Sequence, residues 1–85
     1  MTIQLHFFAS LREALGSDGE TLELERDGLR VADVLDLLRA RGGCWQDALG
    51  EDKTVMAAVN QEMCGHETCL ADGDELAFFP PVTGG

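Results

Sequence analysis

An α+β fold is predicted for this chain of 85 residues, with a mixed sheet of four to five strands and one main helix packed on a single face. Three observations predict it. Apolar residues alternate in the opening stretch TIQLHFF, from Thr2 to Phe8. A second β-rich stretch, ELAFF, lies near the other end, from Glu75 to Phe79. Between them, DGLRVADVLDLLRARGG carries an apolar stripe of helical period. Period two places alternate side chains on one face of a strand, and the i, i+3, i+4, i+7 pattern places them on one face of a helix. A chain of this length builds a single domain with one modest core.

The elements follow in order. Ile3, Leu5 and Phe7 share one face of the first strand, and Gln4 and His6 the other. Phe8 breaks the alternation, and its side chain is either packed under a loop or exposed as a contact residue. SLREALG reads as a short helix capped by Ser10, with Leu11 and Leu15 one turn apart and Gly16 as its stop. After a loop at SDG, ETLELE alternates around Leu22 and Leu24 and suits an antiparallel partner for the first strand. In the main helix, Val31, Val34, Leu35 and Leu38 form the stripe. Asp33 in its first turn and Arg39 and Arg41 near its end suit the helix dipole, and Gly42 and Gly43 end it. Arg30 stands where a capping Ser, Thr or Asp is expected. CWQDALGEDK reads as a connection whose Trp45 and Leu49 fold back on the helix. TVMAAV is a third strand, NQE begins a turn, and CGHETCL is irregular with a short edge strand near Thr68 to Leu70. ADGD is a tight turn rather than a calcium loop, which needs more acids at alternate positions. The first and last strands, the most apolar, are expected at the centre of the sheet as parallel neighbours, with the helix as their crossover.

Composition narrows the function. Sixteen acidic against six basic side chains leave a net charge of −10. Such a surface repels phosphate backbones, so nucleic-acid binding is not expected, and it is drawn to a protein with a basic groove. No apolar run approaches the roughly 20 residues that cross a bilayer, so no membrane partner is expected. Met1 to Phe8 lack the basic start and cleavage site of a secretory signal, which makes the cytoplasm the expected location. The odd number of cysteines (Cys44, Cys64 and Cys69) argues against a disulfide framework. CGHETC does not have the spacing of a strong zinc pattern, so reduced thiols and no metal are expected.

Catalytic patterns are missing. His6 and His66 are the only histidines, and neither stands in a Ser-His-Asp or Cys-His arrangement that the sequence supports. There is no glycine-rich phosphate cradle between a strand and a helix. The segment AFFPPVTGG is more suggestive. Pro80 and Pro81 fix φ and favour an extended backbone, so residues 80–85 read as a tail held away from a body of residues 1–79. Six extended residues reach roughly 20 Å. Gly84 and Gly85 carry no side chain and can pass through a narrow channel. A carboxylate at the tip is a poor electrophile until a partner activates it with ATP as an acyl-adenylate.

FFASLRE after the first strand, VADVLDLL in the helix, AAVNQE in the third strand and LADGDELAFFPPVTGG at the end together resemble the small, sulfur-carrying subunit of molybdopterin synthase. The resemblance covers nearly the whole chain and implies a ubiquitin-like β-grasp fold. It implies that Gly85 is adenylated by an adenylyltransferase resembling ubiquitin-activating enzymes and then converted to a thiocarboxylate. The tail, Pro80, Pro81, Val82, Thr83 and Gly84, inserts into the large synthase subunit, and the sulfur goes to cyclic pyranopterin monophosphate. Phe8, Met63 and Phe79 map onto the family's docking surface. Two small subunits flank a dimer of large ones, the catalytic side chains belong to the partner, and this chain holds no cofactor, ATP being used by the activating enzyme. Three alternatives stand beside this one: a carrier for another acceptor (thiazole, cysteine or transfer RNA), a ubiquitin-like modifier of lysines, and a plain interaction domain. The single Lys53 counts mildly against a chain-forming modifier.

Overall fold

The computed structural model describes residues 1–81. Eight elements follow one another: β1 (Thr2–Phe7), α1 (Ala9–Leu15), β2 (Gly19–Glu23), α2 (Val31–Arg39), α3 (Cys44–Leu49), β3 (Met56–Val59), β4 (Glu62–Cys64) and β5 (Glu75–Phe79). The strands form one sheet in the order β2-β1-β5-β3-β4. β1 pairs antiparallel with β2 and parallel with β5. β3 pairs antiparallel with both β5 and β4. The sheet is therefore mixed, and β1 and β5 lie inside it as parallel neighbours, as their apolar content predicts.

Strand parity builds the core. Ile3, Leu5 and Phe7 point to one face, and the register sets Leu5 beside Leu76 and Phe7 beside Phe78 on that same face. All five are at most 1% exposed. Val31, Val34, Leu35 and Leu38 of α2 are equally closed off, so the whole predicted stripe is buried. Each such side chain contributes roughly 1.5–3 kcal/mol relative to an exposed one. No polar or charged residue is buried among the described residues, so the core carries no desolvation penalty of that kind.

Three local expectations are corrected. Ser10 does not cap α1. The helix begins one residue earlier, at Ala9, with Phe8 as its cap and no side-chain hydrogen bond. The Phe8 carbonyl instead accepts from the Leu11 and Arg12 amides, while Gly16 ends the helix in the left-handed conformation as expected. The stretch after Gly43 is not simply a connection, because Cys44–Leu49 forms the short helix α3. The Arg39 side chain ties α3 to α2 by donating from Nε to the Leu49 carbonyl. Leu49 is fully buried and Trp45 packs on the core, so both do fold back. The edge strand is Glu62–Cys64 rather than Thr68 to Leu70. Asn60 and Gln61, at φ 50° and 69°, turn the chain straight back on β3, as a two-residue hairpin loop requires. Cys69 keeps only an isolated antiparallel bridge to Arg30.

The start of α2 shows how Arg30 serves as a cap. Its backbone amide donates to Asp33 Oδ2 at 2.8 Å, and its carbonyl accepts from the Asp33 amide at 3.0 Å. The acid three residues on supplies the acceptor that the cap position lacks, which is one half of a capping box.

Candidate docking face and C-terminal mount

α2 covers one face of the sheet. On the other face, the register sets His6 beside Ala77, Ala77 beside Ala58, and Ala58 beside Met63, one row across four strands. Two alanines in the middle of that row leave a shallow floor. Phe8 and Phe79 stand above it, and His6, Gln61 and Glu75 complete the lining of a groove of about 520 Å³. The His6 ring stacks on Phe8 with centroids 6.4 Å apart and planes 24° from parallel.

The two readings of Phe8 resolve in favour of exposure: its side chain is 50% exposed. Its backbone is nevertheless fixed, because its amide donates to the Phe78 carbonyl at 3.2 Å and prolongs the parallel ladder. Met63, in the middle of β4, is 61% exposed. Phe78 is fully buried, and Phe79 is half-buried on the opposite face, as alternation demands. Phe8 and Phe79 thus line one groove, and Met63 lies one strand beyond its floor. An apolar patch of this kind on a small acidic protein marks an interaction surface.

The tail leaves from the same place. β5 ends at Phe79, and the chain continues through a half-buried Pro80 to an exposed Pro81. The prolines therefore start at the end of a central strand, next to the groove. The other tail residues predicted to act, Val82, Thr83, Gly84 and Gly85, lie outside the described residues.

His6, Ala58, Gln61, Glu75 and Ala77 were not singled out from the sequence as parts of this face. Parity carried the signal for two of them, since His6 alternates with Phe7, and Ala77 with Phe78. Ala58 and Gln61 needed the register of β3 against β5. In CGHETC, Cys64 closes β4 half-buried, Cys69 is exposed, and His66 Nε2 lies 2.7 Å from the Val55 carbonyl. Among the described residues no three His, Cys, Asp or Glu side chains are placed to share a metal ion. Among them, too, no helix is long and apolar enough to cross a membrane.

Residues 5–85 match the ThiS family. The chain belongs to that family. It is 43% identical to the molybdopterin synthase sulfur carrier subunit of Escherichia coli strain K12, across 98% of this chain and 99% of that one. It is 37% identical to small archaeal modifier protein 3 of Haloferax volcanii across the full length of both. The crystal structure of SAMP1 from Haloferax volcanii superimposes with a TM-score of 0.79 at 31% identity, covering both chains completely. The fold of this ThiS-family chain is the ubiquitin-like β-grasp, and the chain is a sulfur carrier of the molybdopterin synthase small-subunit type.

Proposed function

We propose that Gly85 carries sulfur as a thiocarboxylate and delivers it to cyclic pyranopterin monophosphate in the active site of a large molybdopterin synthase subunit. The observation that supports this reading most is the continuity of the groove with the tail: β5 leads from the Phe8 and Phe79 patch straight into Pro80 and Pro81. A partner seated on the open face is then positioned to receive residues 80–85 in a channel of its own. Docking then spares the tail a separate search for the partner's site and orients the reacting carbonyl.

The chemistry needs two steps at the Gly85 carboxyl. An activating enzyme of the adenylyltransferase class joins the carboxylate to AMP from ATP and releases pyrophosphate. A sulfur nucleophile then attacks the acyl carbon and expels AMP, so that one oxygen is replaced by sulfur. Glycine leaves the carbonyl unhindered for both attacks. ATP is held by the activating enzyme, and the catalytic side chains are the partners'. The cytoplasm, where thiols stay reduced, is the compartment this reading requires. A second reading, attachment of Gly85 to lysines of other proteins, is favoured by the names of the archaeal modifier relatives.

Intact mass after incubation with ATP, a sulfide source and an adenylyltransferase tests the proposal. A gain equal to sulfur for oxygen, absent when Gly85 is deleted, is expected. Deletion of Gly85 is expected to leave thermal stability unchanged, as trimming the end of a chain generally does. Adducts the size of a second protein, with no sulfur gain, would replace the carrier reading by the modifier one.

A further inference from the structure

Three large apolar side chains are exposed among the described residues: Phe8, Met63 and Leu37. The first two belong to the open face of the sheet. Leu37 does not. It sits on α2, 49% exposed, on the flank of the helix beside the stripe that packs on the sheet. The face that carries Leu37 is expected to be polar in a helix covering a sheet from one side.

Leu37 borders a groove of about 620 Å³ between α2 and the segment that follows β2. Leu24 and Leu29, both buried, form its floor. Its rim holds four carboxylates, those of Glu23, Glu25, Asp33 and Asp36, against the guanidinium of Arg26 in the lining and that of Arg39, which pairs with Asp36 at 3.2 Å. The groove is thus an apolar trough inside an acidic border, and it shares no lining residue with the groove on the open face of the sheet.

Charge decides between occupants. A second copy of this chain would bring a net charge of −10 to an acidic rim. Nucleic acid or an anionic lipid surface would be repelled in the same way. Val82 to Gly85 contain no basic side chain to meet the carboxylates. We propose that the groove is a second docking site, which takes a basic amphipathic segment of a partner protein. One large apolar side chain of that segment packs beside Leu37, and flanking lysines or arginines meet the acidic rim. This inference does not depend on the sulfur chemistry at Gly85.

The test titrates the full-length, isotope-labelled chain with a synthetic helical peptide whose lysines and arginines flank one leucine face. A second peptide of identical charge has its leucines replaced by serine. Amide shifts confined to residues 23–29 and 33–40 are expected, with affinity falling as salt rises. Leu37→Ser should weaken binding about tenfold or more, the loss that one buried leucine contact implies, and the serine peptide should bind as weakly. Spectral dispersion of Leu37→Ser confirms that the variant is folded. Equal binding of both peptides, or no effect of Leu37→Ser, would reduce the attraction to net charge and overturn the proposal. Shifts gathered at Phe8, Met63 and Phe79, or none at all, would overturn it as well.

Discussion

Gly19 is the residue where the backbone permits least. It faces His6 across the β1–β2 pair at φ 154°, and a Cβ there would lie 2.2 Å from the Leu5 carbonyl oxygen. That oxygen belongs to a central strand and has no room to retreat. Gly19→Ala is expected to destabilise the fold by about 3 kcal/mol, combining overpacking with backbone strain, and chemical denaturation measures it. Phe78 and Phe79 offer a contrast between neighbours. Phe78 is fully buried, so Phe78→Ala should cost about 3–5 kcal/mol. Phe79 lines the open groove, so Phe79→Ala should cost about 1 kcal/mol or less and should mainly weaken partner binding. Equal stability losses for the two would place Phe79 in the core and remove it from the docking face. The opposite facing of this pair was legible from alternation alone. Which of the two faces is covered was not, because that depends on where α2 lies.

At the scale of elements, β2 and the end of α2 are joined by one clamp. Arg41 donates to both carboxylate oxygens of Glu20, at 2.6 and 3.0 Å, and its guanidinium lies 4.5 Å from the Trp45 ring centre. Trp45 in turn meets Phe7 edge to face at 5.6 Å. The hydrogen bonds from Arg41 hold the Glu20 carboxyl below the usual carboxylate range, against the opposing effect of partial burial. A depressed folded-state pKa means that the pair's stabilisation is complete above the unfolded pKa of roughly 4.3 and is lost as pH falls through the lower folded value. Both side chains are about one-third exposed, so screening limits the pair to about 0.5–1 kcal/mol at neutral pH. Glu20→Gln should lose that amount at pH 7, and the gap to the parent should close below pH 4 in parallel thermal melts. A gap that persists in acid would assign the effect to packing instead. The clamp was hidden in the sequence because Glu20 and Arg41 are 21 positions apart. The helix that carries Trp45 was missed for a different reason. α3 has only six residues between Gly43 and Gly50, too short for periodicity to stand out, and it is held by tertiary contacts rather than by propensity.

Over the whole molecule, charge imbalance is the dominant long-range term. Sixteen acids face six bases, and the ion pairs seen among the described residues are the Glu20–Arg41 clamp, Asp36 with Arg39, and Asp27 near the terminal amine. Self-repulsion therefore opposes the compact state. Raising salt shortens the screening length from about 10 Å at 0.1 M to about 3 Å at 1 M. Stability should rise by roughly 1 kcal/mol over that range, a Tm increase of about 5 °C for a domain this size. A falling Tm would mean that the few ion pairs outweigh the general repulsion. The two apolar surfaces give the same charge a use: an acidic surround favours basic partners at either one.

The sequence by itself determined the α+β class, the buried stripe of α2, the shared face of Ile3, Leu5 and Phe7, the opposite facing of Phe78 and Phe79, and the two prolines and two glycines of the tail. These are periodic or local properties, set by backbone geometry within a few residues. It also carried the family resemblance, which the match over residues 5–85 bears out. Only the tertiary structure decided that His6, Phe8, Ala58, Ala77 and Phe79 meet in one groove, and that Met63 rather than Cys69 lies on the edge strand beside it. Those placements depend on the order β1-β5-β3-β4, which joins segments far apart in the chain. Register between distant strands is set by turn geometry and by which face the helix buries, and neither is written in any one segment.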